Sequence, residues 1–174
     1  DYPSEDTVKI VVENNNKKQV AVRIPAWCKN FTADKNYCEK NGYAYFDLAQ
    51  GTNEITVNFN MQIVFVKANR KTHVNAGKVA VMRGPVVYCI EGVDNEGDIF
   101  GLSVNKDTSF DIKQDAYFGL PTITVEGFSL VDNGNLYSDI DSLKYEERKI
   151  KFIPYYGMEN RGETDMLVWI PVKI

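Results

Sequence analysis

The stretch EITVNFNMQIVF, Glu54–Phe65, decides how the chain is read. Ile55, Val57, Phe59, Met61, Ile63 and Phe65 take every second position, and Glu54, Thr56, Asn58, Asn60 and Gln62 fill the gaps. Successive side chains of an extended backbone point to opposite faces, so this is strand patterning with one face for a core. A helix would scatter the same residues around its circumference. The period recurs upstream: Val8, Ile10 and Val12 alternate, Asn14-Asn15-Asn16-Lys17-Lys18 interrupts, and Val20, Val22 and Ile24 resume, which reads as a β-hairpin. Turn residues at Gly51-Thr52-Asn53, Asp94-Asn95-Glu96-Gly97 and Asp132-Asn133-Gly134-Asn135 punctuate the chain at short intervals.

Further strands are expected at Tyr43–Leu48, Lys78–Met82, Val86–Glu91, Thr122–Glu126, Lys149–Ile153 and Met166–Ile170, and one short polar helical turn at Asp139–Arg148. The fold class is therefore all-β: an antiparallel β-sandwich, jelly-roll-like, as two packed sandwich halves or one compact unit. The pattern loosens between Ala68 and Gly77, which places the seam there and gives halves of 1–74 and 75–174.

Composition narrows the function classes. The 174 residues are 44% hydrophobic and 12% aromatic, enough for a real core. A net charge of -4 argues against a nucleic-acid partner, because phosphate grooves need a basic excess. The densest basic group, Arg70-Lys71 with Lys67 and Lys78, is too sparse for that role. No apolar run reaches membrane-spanning length, and no signal-peptide pattern opens the chain. The start at Asp1 rather than methionine suggests that upstream sequence has been removed. Cys28, Cys38, Cys89 and the single His73 lack ligand spacing, so neither a metal nor a cofactor is expected. The cysteines read as buried small hydrophobes or partly exposed thiols.

Two segments carry candidate chemistry. In GPVVYCIEG, Gly84–Gly92, a thiol and a carboxylate lie two residues apart. Alternation puts Val87, Cys89 and Glu91 on one face and Val86, Tyr88 and Ile90 on the other, both largely apolar. A thiol in such a strand is desolvated, the reverse of what a nucleophile needs, so Cys89 reads as structural. Glu91, at the strand end, reaches solvent or pairs with a base. In FIPYYGMENRG, Phe152–Gly162, the residues Tyr155, Tyr156, Asn160 and Arg161 offer rings and a guanidinium fork suited to sugar contact, or to packing a Gly-bounded loop. Tyr43 and Tyr45, on one face with Asp47, offer a second aromatic pair for a sugar or for a neighbouring domain. A self-sufficient glycosidase would need two carboxylates converging in a cleft, which linear sequence does not display.

VAVRIPAWC (Val20–Cys28), NAGKVAVMRGPVVYCIEGVDN (Asn75–Asn95) and IPYYGMENRGETDMLVWIP (Ile153–Pro171) resemble, in that order, the carboxy-terminal β-sandwich region of glycoside hydrolase family 127. DYP, Asp1–Pro3, resembles the point where those proteins leave their catalytic barrel. The resemblance spans essentially the whole chain. It departs where the family commonly has tryptophan then alanine before NRG: this chain has Met158-Glu159 and lacks the ring an aromatic contact there would use.

The family includes β-L-arabinofuranosidases whose nucleophilic cysteine, zinc ligands and acid/base glutamate lie on an upstream (α/α)6 barrel. No position here matches those motifs, so the resemblance implies no catalytic or metal residue in this chain. It implies instead an accessory, non-catalytic β-sandwich region of a larger hydrolase. The expected partner is the upstream barrel of the same polypeptide, with homo-oligomer contacts and a glycan left open. The alternative is a carbohydrate-binding module gripping glycan through Tyr43, Tyr45, Tyr155 and Tyr156. Removal of a barrel would leave an apolar surface, expected near the amino terminus or the Tyr155–Arg161 loop. The compartment stays open between bacterial cytoplasm and periplasm or secretion.

Overall fold

A computed structural model describes residues 2–173. The chain divides after Gln62 into two compact units. The break falls before the Ala68–Gly77 stretch that the sequence pattern favours. Alternation explains the difference, because it reports which side chains are buried and not where the backbone leaves its ladder. Phe59 and Met61 keep the buried phase of the Glu54–Phe65 run. Their amides, however, bond to Asp6, to its backbone oxygen at 2.8 Å and its carboxylate at 2.9 Å. Asn60 takes a φ of 45°, a left-handed conformation that asparagine tolerates. The run is thus two strands in two different units.

The first unit contains β1 Thr7–Asn14, β2 Lys18–Arg23, β3 Thr32–Ala33, β4 Cys38–Lys40, β5 Tyr43–Leu48 and β6 Gly51–Asn58. Its two antiparallel three-stranded sheets are ordered β1-β6-β3 and β2-β5-β4. Their inward residues, among them Val8, Ile10, Val22, Phe46, Ile55 and Val57, form one core, as a sandwich requires. The expected hairpin is corrected here: β1 pairs with β6 and β2 with β5, so the Asn14–Lys17 connection crosses between sheets. Asn14 directs the crossing. Its buried side chain donates to the carbonyls of Asn16 and Ala49 and accepts from Asn53. Period two was correctly read, but it cannot say which partner each strand takes.

The second unit contains β7 Ile63–Lys67, β8 Lys78–Arg83, β9 Val86–Glu91, β10 Leu102–Asn105, β11 Phe110–Lys113, β12 Thr122–Leu130, β13 Tyr145–Pro154, β14 Met166–Leu167 and β15 Ile170–Lys173. The pairings β8-β9-β13-β12-β10-β15-β8 close a six-strand ring, antiparallel except for β10 with β15. This half is therefore a small closed barrel, and closure leaves the ring itself without edges. β7, β11 and β14 extend it from outside along β8, β12 and β9. Tyr88, Ile90, Leu102, Val104, Ile123 and Phe152 fill the interior with their neighbours. Tyr88 takes its hydroxyl into the core because it donates to the Pro121 carbonyl at 3.0 Å.

The helical turn expected at Asp139–Arg148 reduces to a 3-10 turn at Ile140–Ser142, after which β13 begins. Polar Glu146, Glu147 and Lys149 occupy exposed positions of that strand, while Ile150 and Phe152 are buried. The strand expected across Met166–Ile170 is split into β14 and β15. Among the described residues, no helix is long and apolar enough to cross a membrane.

Candidate functional site

The densest polar grouping lies at the carboxy-terminal end of β9. Tyr88 and Ile90 point into the barrel, so Cys89 and Glu91 point outward. Water would meet them there if the segment from Tyr155 to Asp165 did not fold across. Cys89 packs with Phe118, Ile153, Met158, Met166 and Val168 and is fully buried. Met158 contributes to this patch. Gly157 is required beside it, since a Cβ there would stand 2.6 Å from the Phe118 ring.

Glu91 is also fully buried. A buried carboxylate persists only when its oxygens are paired. Its Oε2 accepts from Arg161 Nη2 at 2.6 Å, and its Oε1 from the Glu159 backbone N–H at 2.5 Å. Glu159 reaches that position through a left-handed φ of 58°. Arg161 also donates from Nη1 to Asp94 Oδ1 at 2.8 Å and from Nη2 to Asp94 Oδ2, with its guanidinium 5.1 Å from the Phe118 ring centre. Asp94 receives a further bond from Lys151 Nζ at 3.0 Å. Two acids thus meet two cations, and the cluster is charge-balanced.

Asn95 completes it. Its buried amide donates to the carbonyls of Glu91 and Lys151 and accepts from the Lys151 N–H, stitching the turn after β9 onto β13. Arg148 caps the Asn95 carbonyl at 2.7 Å. Gly92 tolerates no side chain, because a Cβ would lie 2.7 Å from the Gly97 carbonyl oxygen.

These surroundings oppose acid/base or nucleophilic chemistry. Burial, with the neighbouring Glu91 charge adding to it, pushes the Cys89 thiol up to about 12, so it is not a thiolate at neutral pH. Burial alone would raise the Asp94 carboxyl, but hydrogen bonds from Arg161 and Lys151 outweigh it and hold the group below its ordinary value. The bonds to Asp94 and Glu91 raise the Arg161 guanidinium further. Among the described residues, no three His, Cys, Asp or Glu side chains gather as a metal site would require.

Two predictions follow from this environment. Cys89→Ala should cost about 1–2 kcal/mol, with valine costing less, because it deletes one buried sulfur from a packed patch. Thiol reagents should modify exposed Cys38 quickly and buried Cys28 and Cys89 slowly. Complete labelling of Cys89 in native protein within minutes would contradict its burial.

The second concerns pH. A carboxyl with a lowered folded-state pKa stabilises the fold above its unfolded value, near 3.8 for Asp94, and loses that contribution as pH falls through the folded value. The stability gap between wild type and Asp94→Asn, read from urea unfolding, should hold near neutrality and shrink below about pH 4. A gap independent of pH would show that the charge of Asp94 is not what the cluster uses.

The other sequence candidates are dispersed. Tyr155 and Tyr156 are exposed, and the Tyr156 hydroxyl donates to the Phe118 carbonyl. Asn160 is exposed and its carbonyl accepts from the Tyr117 hydroxyl at 2.9 Å. Arg161 has its fork occupied by Glu91 and Asp94. Tyr43 and Tyr45 lie in the other unit, on the outer face of β5, with ring centres 6.3 Å apart. Sequence reasoning missed Asp94, Asn95, Arg148 and Lys151. The usable signal was a glutamate in a strand apolar on both faces, which demands a cation.

The fold and this partly buried, charge-balanced cluster define an all-β module that spends its densest polar chemistry on holding its own loops. Residues 63–171 match the model of the glycoside hydrolase family 127 C-terminal domain, and the chain belongs to that family. It is 32% identical over 164 residues to a non-reducing end β-L-arabinofuranosidase of Bifidobacterium longum subsp. longum, covering 85% of this chain and 25% of that protein. The crystal structure of a GH127 β-L-arabinofuranosidase from Geobacillus stearothermophilus T6 superposes with a TM-score of 0.87 at 31% identity, covering 99% of this chain and 29% of that one. A second GH127 β-arabinofuranosidase structure gives 0.84 at 26% identity, covering 99% and 30%. The chain thus spans about a quarter to a third of the length of these relatives.

Proposed function

We propose that this chain is the accessory, non-catalytic C-terminal region of a β-L-arabinofuranosidase-like glycoside hydrolase, and that it supports a catalytic portion lying upstream in the same polypeptide. One observation carries the reading: solved GH127 relatives account for 99% of this chain while the chain accounts for only 29–30% of them. The chain's own chemistry agrees with it. Glu91 and Asp94, which share Arg161, are committed to Arg161 and Lys151 and closed to a substrate.

The test compares the parent enzyme, the parent shortened by this region, and this chain alone on an aryl β-L-arabinofuranoside. The chain alone should not turn over substrate, and the shortened parent should lose thermal stability and activity. Turnover by the chain alone, or an unimpaired shortened parent, would overturn the proposal. Titration of the chain with arabino-oligosaccharides tests the rival binding-module reading. Saturable binding abolished by substituting Tyr43 and Tyr45, or Tyr155 and Tyr156, would replace the accessory role with glycan capture.

A further inference from the structure

Every residue from Leu130 to Glu147 is exposed. β12 and β13 pair as far as Leu130 with Tyr145, and the long connection between them leaves the barrel carrying Leu136, Tyr137, Ile140 and Leu143. Leu136 is 96%, Tyr137 93%, Ile140 73% and the neighbouring Phe100 64% exposed. Single exposed apolar residues need no explanation, but a contiguous group of this size marks a surface that something covers. With Gly101, Leu130 and Val131, most of these residues line an open groove of about 440 Å³.

The bonds that hold the connection are local. Val131 N–H meets the Lys144 carbonyl at its base, and Asp132, Asn133 and Asp139 each bond a backbone amide two residues on. No burial repays its apolar side chains. Long connections of this kind inside a compact domain are usually functional or disordered. This one keeps turn-capped geometry around an apolar groove, which is the form of one half of an interface.

We infer that this groove is where the remainder of the parent polypeptide docks. The inference rests on the accessory reading above and adds the place of contact. Two observations select the occupant. GH127 relatives carry two-thirds or more of their length outside the part this chain matches, so a large body is available on the same polypeptide. The charged residues lining the groove are Asp98, Asp132 and Asp139, all acidic. A two-fold pairing of two copies would set this acidic rim against itself, which disfavours a second copy. The complementary face is therefore apolar at its centre with lysine or arginine at its edge. None of the groove's lining residues belongs to the Tyr155–Arg161 loop, one of the two places where the sequence led one to expect an apolar surface.

Hydroxyl-radical footprinting of this chain and of the full parent enzyme, at several protein concentrations, tests the inference. Leu136 and Tyr137 should be oxidised about tenfold more slowly in the parent, at every concentration, because a packed interface excludes water. Leu136→Asp with Tyr137→Asp should lower the melting temperature of the parent and leave that of this chain unchanged. Equal oxidation in both proteins would overturn the inference, as would protection that appears only as concentration rises, which would identify a second copy. A shortened parent that fails while Leu136 and Tyr137 stay reactive in the full enzyme would preserve the accessory role and place its contact elsewhere.

Discussion

Arg161→Met should destabilise the chain by about 3–5 kcal/mol, the cost of leaving buried charge without its partner. Methionine keeps an unbranched apolar stem and removes the guanidinium that stands over the Phe118 ring and bonds both Glu91 and Asp94. Lys151 remains for Asp94, but Glu91, fully buried, keeps only the Glu159 amide. Adding Glu91→Leu to Arg161→Met should recover a large part of the loss, since apolar groups often replace a buried ion pair at little net cost. Urea unfolding with an unchanged m-value measures both. A single variant within about 1 kcal/mol of wild type, the range of an exposed pair, would mean that water reaches Glu91 after all.

Gly127→Val should cost about 3 kcal/mol, the upper part of the range for forcing volume into a packed core. Gly127 continues the inward phase of Ile123 and Val125 on β12, between β10 and β13. A Cβ there would stand 2.5 Å from Ile150 Cδ1 and 2.6 Å from the Ser103 carbonyl oxygen. The isoleucine can rotate only into a filled interior, and the carbonyl belongs to the ladder and cannot retreat. Alanine should show a smaller loss in the same direction. A melting temperature for Gly127→Val equal to wild type would show that β10 can move outward without cost.

The strands were legible because burial writes itself into the chain at period two. Val8 to Val12, Tyr43 to Leu48 and Val86 to Glu91 all lie in strands close to where their alternation puts them. Pairing leaves no such trace. Nothing local to Val20 distinguishes β5 from β1 as its partner, and Asn14, which turns the chain between sheets, resembles any turn asparagine. The ring is less legible still, because closure depends on β8 meeting both β9 and β15. At the site, the strand pattern showed that Cys89 and Glu91 share a face and that the thiol would be buried. The partners of Glu91 and Asp94 were hidden because those contacts join residues 57 to 70 positions apart. Arg161 was noticed for its chemistry, and sugar contact and packing of its own loop both stayed open, because sequence cannot show that a guanidinium is already occupied by Glu91 and Asp94.

The place of β15 in the ring bears on how the barrel comes into being. β15 stands between β8 and β10, parallel to one and antiparallel to the other. Until Ile170–Lys173 leave the ribosome, β8-β9-β13-β12-β10 can form only an open sheet whose two outer strands have bare backbone toward the gap. Bare edges template pairing with other chains, and contacts between residues so far apart in sequence form slowly. The nascent barrel is thus vulnerable until β15, the sixth strand of the ring, arrives, and a cell translating this polypeptide must shield two edges that the finished ring never presents.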